Sequence, residues 1–296
     1  MADRGRSVET INHLLGLILS MTLILSCLTP KYIVQVSDRR LTWPDGRVAD
    51  DSANKAILFH GRACIAYTGI AQIGSQRTDE WIANHLLHQT GLQQAIDHLK
   101  AALDSEIHKL RSPNRHLSVV IDLWGTQIHD TPDRPWSIVL TNQIDPATRK
   151  FSPRPLQTFQ QFTQTLPEGK GYAFLPSGQH LDMSIYRSLV RNVVRAMRHA
   201  SSEPTTISAT SVSRFIEEAV LRVASGNRTV GSNLMTTVLL NQQIPENFGL
   251  TNTSSYRHSK KADPIIYAPT VIAPECAIRS LKIYPGLPRF PINESP

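Results

Sequence analysis

Cysteine is scarce in this chain of 296 residues. Only Cys27, Cys64 and Cys276 occur, and no two of them form a Cys-x-x-Cys pair. An odd number of widely spaced cysteines indicates neither a disulfide framework nor a zinc site built from thiolates. Such a chain belongs by default in a reducing compartment, so we expect a cytoplasmic protein.

Aromatic residues make up only 6% of the chain, and acidic residues are outnumbered by basic ones. The 31 Lys and Arg residues against 24 Asp and Glu residues give a formal net charge of +7. This surplus favours contact with nucleic acid, anionic surfaces or acidic peptides, but does not choose among them. Glycine-rich phosphate loops of both common kinds are missing from the sequence. We therefore expect no cofactor, and no other feature predicts a nucleic-acid partner.

The composition that remains is that of a folded protein. Hydrophobic residues account for 41% of the chain and charged residues for 19%, close to the averages for globular domains. The length allows one large domain or two smaller ones, each able to bury a substantial core.

The N-terminal region holds an apolar run over residues 14–28 that supports two hypotheses. The run resembles the middle of a secretory signal, and its end, Ile24-Leu25-Ser26-Cys27, resembles a lipoprotein cleavage box. Against this, the preceding segment MADRGRSVE carries both signs of charge, and the run is short for a membrane span. A lipid anchor at Cys27 stays open as an alternative, and only this alternative would bring the chain to a membrane.

The second hypothesis divides the run after Met21. Residues 22–28 have the length and composition of a strand, the Thr29-Pro30-Lys31 segment favours a turn, and residues 32–37 predict a second strand. This is a β-hairpin that begins at Thr22. Residues 1–21 are then a leader or a mis-assigned start. Removal of an initiator methionine before a residue as small as threonine would leave Thr22 with a free α-amine.

The remainder of the chain groups strands with strands and helices with helices. The predicted strands are 56–59, 63–67, 117–124, 136–142, 160–174 and 234–240, and the predicted helices are 75–88, 92–110 and a second pair around 185–197 and 215–223. This order predicts an α+β fold in which two antiparallel sheets are covered by helices. Eight prolines follow residue 240, so residues 241–296 are expected to form an extended C-terminal segment on the surface of the domain at 22–240.

Three short motifs contain the candidate functional residues. They are Ser37-Asp38-Arg39-Arg40-Leu41-Thr42, Asn54-Lys55-Ala56-Ile57 and Tyr67-Thr68-Gly69. Together with Thr22 at the head of the first strand, their residue types and intervals resemble those of the proteasome-type N-terminal nucleophile hydrolases. The resemblance covers residues 22–240. It implies a four-layer αββα sandwich, assembly of identical copies into a ring or stack, and cleavage of peptide or amide bonds.

The resemblance also implies a role for each residue. A threonine hydroxyl needs a base to take its proton, and in this family the base is the α-amine of the same residue. Thr22 would be the nucleophile, Lys55 would lower the pKa of the amine, and Asp38 would orient Lys55. The Gly69 N–H would stabilise the oxyanion, a contribution of roughly 3–4 kcal/mol in acyl-transfer enzymes. Arg40 is expected to be a structural ion-pair partner.

Two further positions follow from the same resemblance. Ser177, in Pro176-Ser177-Gly178, falls where the family has a turn leading into a helix, and it would supply a supporting hydroxyl. Gly231 matches a glycine after the last long helix. The family's acid and hydroxyl in that stretch are replaced by Asn227 and Val230. A catalytically silent structural subunit of the same fold is therefore the alternative to an active enzyme.

Two other patterns are interpreted as structural features and not as catalytic or metal sites. His85, His88, His98 and His108 lie near one another in two predicted helices, but no carboxylate or thiolate completes a ligand set, so no metal is expected. His85 shares an apolar helical face, and we expect it in a core or interface. A stripe of four arginines, Arg187, Arg191, Arg195 and Arg198, predicts a solvated helix face or a contact between subunits.

Overall fold

The fold is described from a computed structural model of the chain. The structure describes residues 22–42, 47–51, 53–107, 109, 116–125, 134–152, 154–179, 181–199, 205–242, 252–257, 266–267, 270–273, 276–278 and 282–283. The expected leader at residues 1–21, His108 and most of the C-terminal extension lie outside the described residues.

Most strands belong to two sheets. The five strands of the first sheet are β1 (Leu23–Leu28), β2 (Tyr32–Asp38), β12 (Ala173–Gly178), β13 (Leu234–Leu240) and β14 (Thr253–Arg257). The seven strands of the second are β5 (Ala56–Phe59), β6 (Ala63–Gly69), β9 (Leu117–Gly125), β10 (Arg134–Thr141), β11 (Gln160–Thr165), β16 (Thr270–Ala273) and β17 (Cys276–Ile278). The strand order is β12-β1-β2-β13-β14 in the first sheet and β11-β10-β9-β6-β5-β16-β17 in the second.

Short ribbons and helices complete the described part. The ribbons pair β3 (Leu41–Thr42) with β4 (Val48–Asp50), β7 (Gln72–Ile73) with β8 (Gln76–Arg77), and β15 (Ile266–Tyr267) with β18 (Lys282–Ile283). The helices are α1 (Thr78–Leu86), α2 (Leu92–Ile107), α3 (Met183–His199) and α4 (Thr205–Gly226). The predicted mixed α+β class is confirmed. None of the described helices is both long enough and apolar enough to cross a lipid bilayer.

The opening hairpin forms as its composition predicts. Apolar side chains fill β1 and β2, and the Thr29 hydroxyl closes the turn by donating to the Tyr32 carbonyl at 2.6 Å and accepting from the Tyr32 N–H at 3.0 Å. β1 lies between β12 and β2, and all six of its residues are buried. A strand buried on both faces has no polar alternation. This explains why the segment has the apolar character of a signal sequence.

Apolar clusters lie on both faces of each sheet. One cluster joins the seven-stranded sheet to α1 and α2, and another joins the five-stranded sheet to α3 and α4. A third joins the two sheets, with Ile33 and Met235 on one side and Leu58, Cys64 and Trp124 on the other. Burial of such side chains stabilises a fold by about 1.5–3 kcal/mol each. Each sheet is therefore fixed by helices on one face and by the other sheet on its second face.

The predicted single strand over residues 160–174 is wrong. β11 and β12 are separate strands in different sheets. The segment Pro167-Glu168-Gly169-Lys170-Gly171 lies between them, and Gly169 has a φ of +72°. Proline lacks an N–H for a strand ladder, and glycine adopts positive φ without strain. The chain uses this break to cross from one sheet to the other.

The prediction of purely antiparallel sheets also needs correction. β16 pairs with β5 in parallel, through Thr270–Ile57, Val271–Leu58 and Ile272–Phe59. At the edge of the other sheet, β14 pairs with β13 in the antiparallel sense. Parts of the proline-rich extension thus complete the edges of both sheets. The domain boundaries at residues 21 and 240 stay a prediction.

Candidate functional site

Thr22 directly precedes β1 of the five-stranded sheet and contacts the end of β6 in the seven-stranded sheet. The residue is only 2% exposed. Its carbonyl accepts a hydrogen bond from the Gln179 N–H at 2.9 Å and one from the Thr68 hydroxyl at 3.5 Å. The ends of β12 and β6 therefore hold the Thr22 backbone, and its position is defined before any contact of its side chain is considered.

The Lys55 side chain extends to Thr22 from the residue before β5. Its Nζ donates to Thr22 Oγ1 at 2.6 Å and also to the Arg40 carbonyl. Asp38 Oδ1 lies 3.5 Å from the same Nζ, and neither side chain of this ion pair has any exposed surface. The structure thus brings together Thr22, Asp38 and Lys55, which are separated by up to 33 positions in the sequence.

Asp38 is the last residue of β2, and backbone N–H groups surround its carboxylate. Oδ2 accepts from the Leu23 N–H at 2.7 Å, and Oδ1 accepts from the N–H groups of Arg40 at 2.9 Å and Gly231 at 3.2 Å. Leu23 directly follows Thr22. One carboxylate therefore connects the start of β1, the turn after β2 and the loop after α4.

Burial changes the titration of both members of the ion pair. It lowers the pKa of Lys55, while the Asp38 carboxylate acts in the opposite direction. It also raises the pKa of Asp38, opposed by the Lys55 ammonium and by the N–H groups of Leu23, Arg40 and Gly231. Loss of water disfavours the charged form of each group. The amine beside Thr22 Oγ1 is therefore easier to deprotonate than an exposed lysine.

Two glycines pack against this centre so closely that no side chain fits. Gly69 has a φ of +113°, and an added Cβ would lie 2.0 Å from the His116 carbonyl oxygen. Gly178 has a φ of +89°, and its added Cβ would lie 2.1 Å from the Thr22 carbonyl oxygen. Gly69 follows Thr68, the residue that contacts the Thr22 carbonyl. The role of the Gly69 N–H toward an oxyanion stays a prediction.

Arg40 forms an ion pair at the edge of the site. Its Nε and Nη2 donate to Asp51 Oδ1 at 2.8 Å and Oδ2 at 3.1 Å, and its Nη1 donates to the Arg228 carbonyl at 2.7 Å. The pKa of Arg40 is raised, chiefly by its hydrogen bonds to Asp51. Gly231 fits against this pair, since its added Cβ would lie 2.8 Å from Arg40 Cβ. Arg40 and Asp51 therefore hold the loop that carries the Gly231 N–H to Asp38.

Asp51 is a residue of the site that the sequence patterns do not predict. It lies in the long connection between β2 and β5, where no local pattern marks it. Its carbonyl also accepts a hydrogen bond from Asn233 Nδ2 at 2.8 Å. The pairing with Arg40 depends on the fold of that connection, so spacing alone could not have identified it.

Ser177 belongs to β12, where it pairs with Ile24 of β1, and α3 begins at Met183. The end of a strand therefore takes the place of the turn expected here, and the role of Ser177 as a supporting hydroxyl stays a prediction. No hydrogen bond joins Ser177 to Thr22 or Lys55 within the described residues. Asn227, in the place of the family's acid, closes a local turn by accepting from the Thr229 N–H at 2.9 Å and hydroxyl at 2.7 Å.

The histidines form a pair across the first two helices. His85 Nδ1 lies 3.3 Å from His98 Nε2, and the His85 ring packs on Trp81 with centroids 4.1 Å apart. Burial lowers the pKa of His85, and His98 adds to the effect. Across the described ranges, no three side chains of His, Cys, Asp or Glu form a cluster that could hold a metal ion.

Comparisons with known proteins find a distant likeness in structure alone. No protein-family model matches the chain, and no curated protein matches it. Among solved structures, the chain is similar to eukaryotic HslV from Trypanosoma brucei, with 14% sequence identity and a TM-score of 0.37. The match covers 74% of this chain and 99% of that one. This likeness is too distant to assign a family.

Proposed function

We propose that this protein is a threonine-type N-terminal nucleophile hydrolase that cleaves peptide or amide bonds through Thr22. The observation that carries the proposal is the 2.6 Å contact between Lys55 Nζ and Thr22 Oγ1, with Asp38 Oδ1 3.5 Å behind the same Nζ. A buried hydroxyl that accepts a hydrogen bond from a buried ammonium, itself paired with a carboxylate, is an arrangement suited to a nucleophile. The proposal requires that residues 1–21 be absent from the mature chain.

The reaction then follows from the chemistry of these groups. The α-amine of Thr22 takes the proton from Oγ1, which attacks the substrate carbonyl. Lys55 stabilises the developing negative charge on Oγ1, and the Gly69 N–H stabilises the oxyanion of the tetrahedral intermediate. The protonated α-amine gives its proton to the leaving amine, and an ester on Thr22 remains. Water, deprotonated by the same α-amine, hydrolyses this ester and regenerates the hydroxyl.

The supporting residues act through Asp38. Asp38 keeps Lys55 directed at Thr22, while Arg40 and Gly231 hold the loop whose N–H binds Asp38. We also propose the four-layer αββα arrangement and assembly of identical copies, as the family resemblance implies. The substrate would be a peptide or an acylated amide. The cytoplasmic location stays a prediction.

The catalytically silent subunit is a second candidate, and a specific observation favours it. Asn227 and Val230 replace the acid and hydroxyl of the family, and Asn227 uses its side-chain oxygen for a local turn. In that case Thr22 would remain blocked by the residues before it. The lipid-anchor alternative is weaker, because Cys27 has no exposed surface and cleavage before it would remove most of the strand between β12 and β2.

N-terminal sequencing and the intact mass of the purified protein test the first requirement. A chain that begins at Thr22 supports the hydrolase, whereas a chain that retains residues 1–21 supports the silent subunit. A lipidated Cys27 would support the anchor.

A Thr22→Ala variant tests the chemistry, with turnover of fluorogenic acylated peptides as the measurement. We expect Thr22→Ala to abolish turnover while Thr210→Ala, which removes an exposed threonine hydroxyl on α4, leaves it unchanged. Equal turnover by the wild type and Thr22→Ala would refute the proposed nucleophile.

A further inference from the structure

The outer side of α3 carries a row of exposed guanidinium groups. Arg187, Arg191, Arg195 and Arg198, called the arginine face below, are all exposed and spaced at i, i+4, i+8 and i+11. At about 1.5 Å per residue, the row is about 16 Å long and neighbouring side chains are about 6 Å apart. The apolar side of the same helix packs on the five-stranded sheet through Leu189 and Val193.

The helix that carries this row has no negative charge of its own. α3 contains no acidic residue in its 17 positions. Arg187, Arg191 and Arg195 form no ion pair within the described part of the chain, whereas Arg40 and Arg77 each pair with aspartates. Arg222 of α4 adds a further cation beside the row, donating to Ser188 Oγ at 3.3 Å. Like charges one helical turn apart repel each other, so the row does not stabilise the isolated helix.

A groove opens at the N-terminal half of the arginine face. It has a volume of about 580 Å³ and is lined by Ser184, Tyr186, Arg187, Val190 and Arg191. Its walls combine apolar surface from Tyr186 and Val190 with two guanidinium groups. An apolar side chain flanked by carboxylates would match this lining.

We propose that the arginine face docks an acidic helical segment of another protein. Carboxylates one turn apart on the partner helix have the same spacing of about 6 Å as the arginines. Guanidinium groups bind carboxylates through paired N–H donors, which favours this contact over a diffuse attraction. An apolar residue of the partner would enter the groove between Tyr186 and Val190. The proposal does not depend on the activity proposed for Thr22.

Two other occupants fit the face less well. A second copy of α3 would bring its own arginines against this row, and the like charges would oppose the contact. A single-stranded nucleic acid gains affinity from aromatic side chains on which bases stack. Tyr186 is the one aromatic residue in α3. The apolar walls of the groove also have no counterpart in a phosphate backbone.

The test uses a labelled synthetic peptide of 18 residues that forms an amphipathic helix, with glutamates one turn apart and a leucine between them. Fluorescence anisotropy measures its binding to the wild type, to a variant with Arg187→Gln, Arg191→Gln and Arg195→Gln, and to a control with Arg62→Gln, Lys150→Gln and Arg154→Gln. All six positions are exposed, and both variants lose three positive charges. We expect the first variant to bind at least tenfold more weakly and the control to change less than twofold.

Four results would overturn the proposal. Equal weakening in both variants would mean that net charge alone attracts the peptide. If the wild type bound an 18-nucleotide DNA more tightly than the peptide, and the first variant no longer bound that DNA, the face would be assigned to nucleic acid. Self-association of the wild type that disappears in the first variant would assign it to a second copy. Thermal unfolding of all three proteins verifies that they are equally folded, and no binding of the peptide to the wild type would also refute the proposal.

Discussion

Asp38 and Asp122 are both aspartates without exposed surface, but they lie among different neighbours. Asp38 faces the Lys55 ammonium and three backbone N–H groups at the edge of the candidate site. Asp122, on β9 between the two sheets, accepts hydrogen bonds from Ser26 Oγ at 2.5 Å and Gln35 Nε2 at 2.6 Å. The same residue type is thus buried once beside a cation and once among neutral donors.

The difference shows that neighbours, and not burial alone, determine what a buried carboxyl does. Burial raises the pKa of both aspartates. At Asp122 only neutral side chains oppose that effect, among them the two donors Ser26 and Gln35. At Asp38 a cation also opposes it. We therefore infer an ionic role for Asp38 and a structural role for Asp122, which connects β9 to β1 and β2 across the sheets.

The largest effect is expected from Asp38→Asn. The substitution would leave the buried Lys55 ammonium without a counter-ion and turn an amide N–H₂ toward backbone N–H groups. We expect the free energy of unfolding to fall by about 3–5 kcal/mol, measured by urea unfolding at pH 7. The double variant Asp38→Asn/Lys55→Met should recover part of this loss. If Asp38→Asn were as stable as the wild type, the ionic role of Asp38 would be wrong.

A smaller loss is expected from Asp122→Ala. Truncation would remove the acceptor of the Ser26 hydroxyl and the Gln35 amide in a region closed to water. An unsatisfied buried donor costs about 1–3 kcal/mol, and we expect a destabilisation in that range by urea unfolding. An unchanged urea midpoint would show that these donors find other acceptors.

Below the unfolded pKa of about 3.9, where Asp122 is protonated in both states, Asp122→Asn should change stability by less than about 1 kcal/mol, because an amide oxygen can accept both hydrogen bonds. The sign of its pH dependence follows from linkage. Since burial raises the pKa of Asp122, the folded state holds its proton more tightly than the unfolded state does. The contribution of Asp122 to stability is thus full below the unfolded pKa of about 3.9 and is lost as the pH rises through the folded pKa.

A pH series of urea midpoints distinguishes the two buried aspartates. Because asparagine does not titrate in this range, Asp122→Asn should gain stability relative to the wild type as the pH rises from about 4 toward neutrality. A difference between the two proteins that stays constant with pH would contradict a raised pKa for Asp122.

A small effect is also expected at the partly exposed pair of Arg40 and Asp51, whose side chains are 17% and 37% exposed. We expect Arg40→Gln to cost about 1 kcal/mol, because water replaces part of the lost contact. The loss should shrink in high salt, since ions screen an exposed pair. A loss as large as that of Asp38→Asn would mean that the loop after α4 supports more of the fold than its contacts suggest.

Much of the fold could be predicted from local patterns. The strands β1, β2, β5 and β13 and the helix α2 follow runs of apolar residues with strand or helix period, which depend only on neighbours in the sequence. The division between β11 and β12 was missed, although Pro167, Gly169 and Gly171 could have indicated it. The parallel pairing of β16 with β5 could not be predicted, because it joins segments more than 200 residues apart.

The candidate site was predictable in part. Thr22, Asp38 and Lys55 could be named because their types and intervals resemble those of a known family. Asp51 and the Asp122 cluster could not, because each depends on contacts between elements that are distant in the sequence. Ser177 lies in a strand instead of the expected turn, because the local sequence does not reveal that β12 pairs with β1, and its supporting role stays a prediction.

The sequence by itself determined where chain segments become strands and helices, because hydrophobic period, turn residues and proline act within a few positions. It also determined which side chains are able to take part in nucleophilic chemistry. Only the tertiary structure decided that Lys55 contacts Thr22 and that Asp38 accepts hydrogen bonds from three backbone N–H groups. It also decided that the hydrogen-bond donors of Asp122 are all neutral side chains. Distances and burial arise from packing between remote segments, and they set the charge and the hydrogen bonds of each buried group.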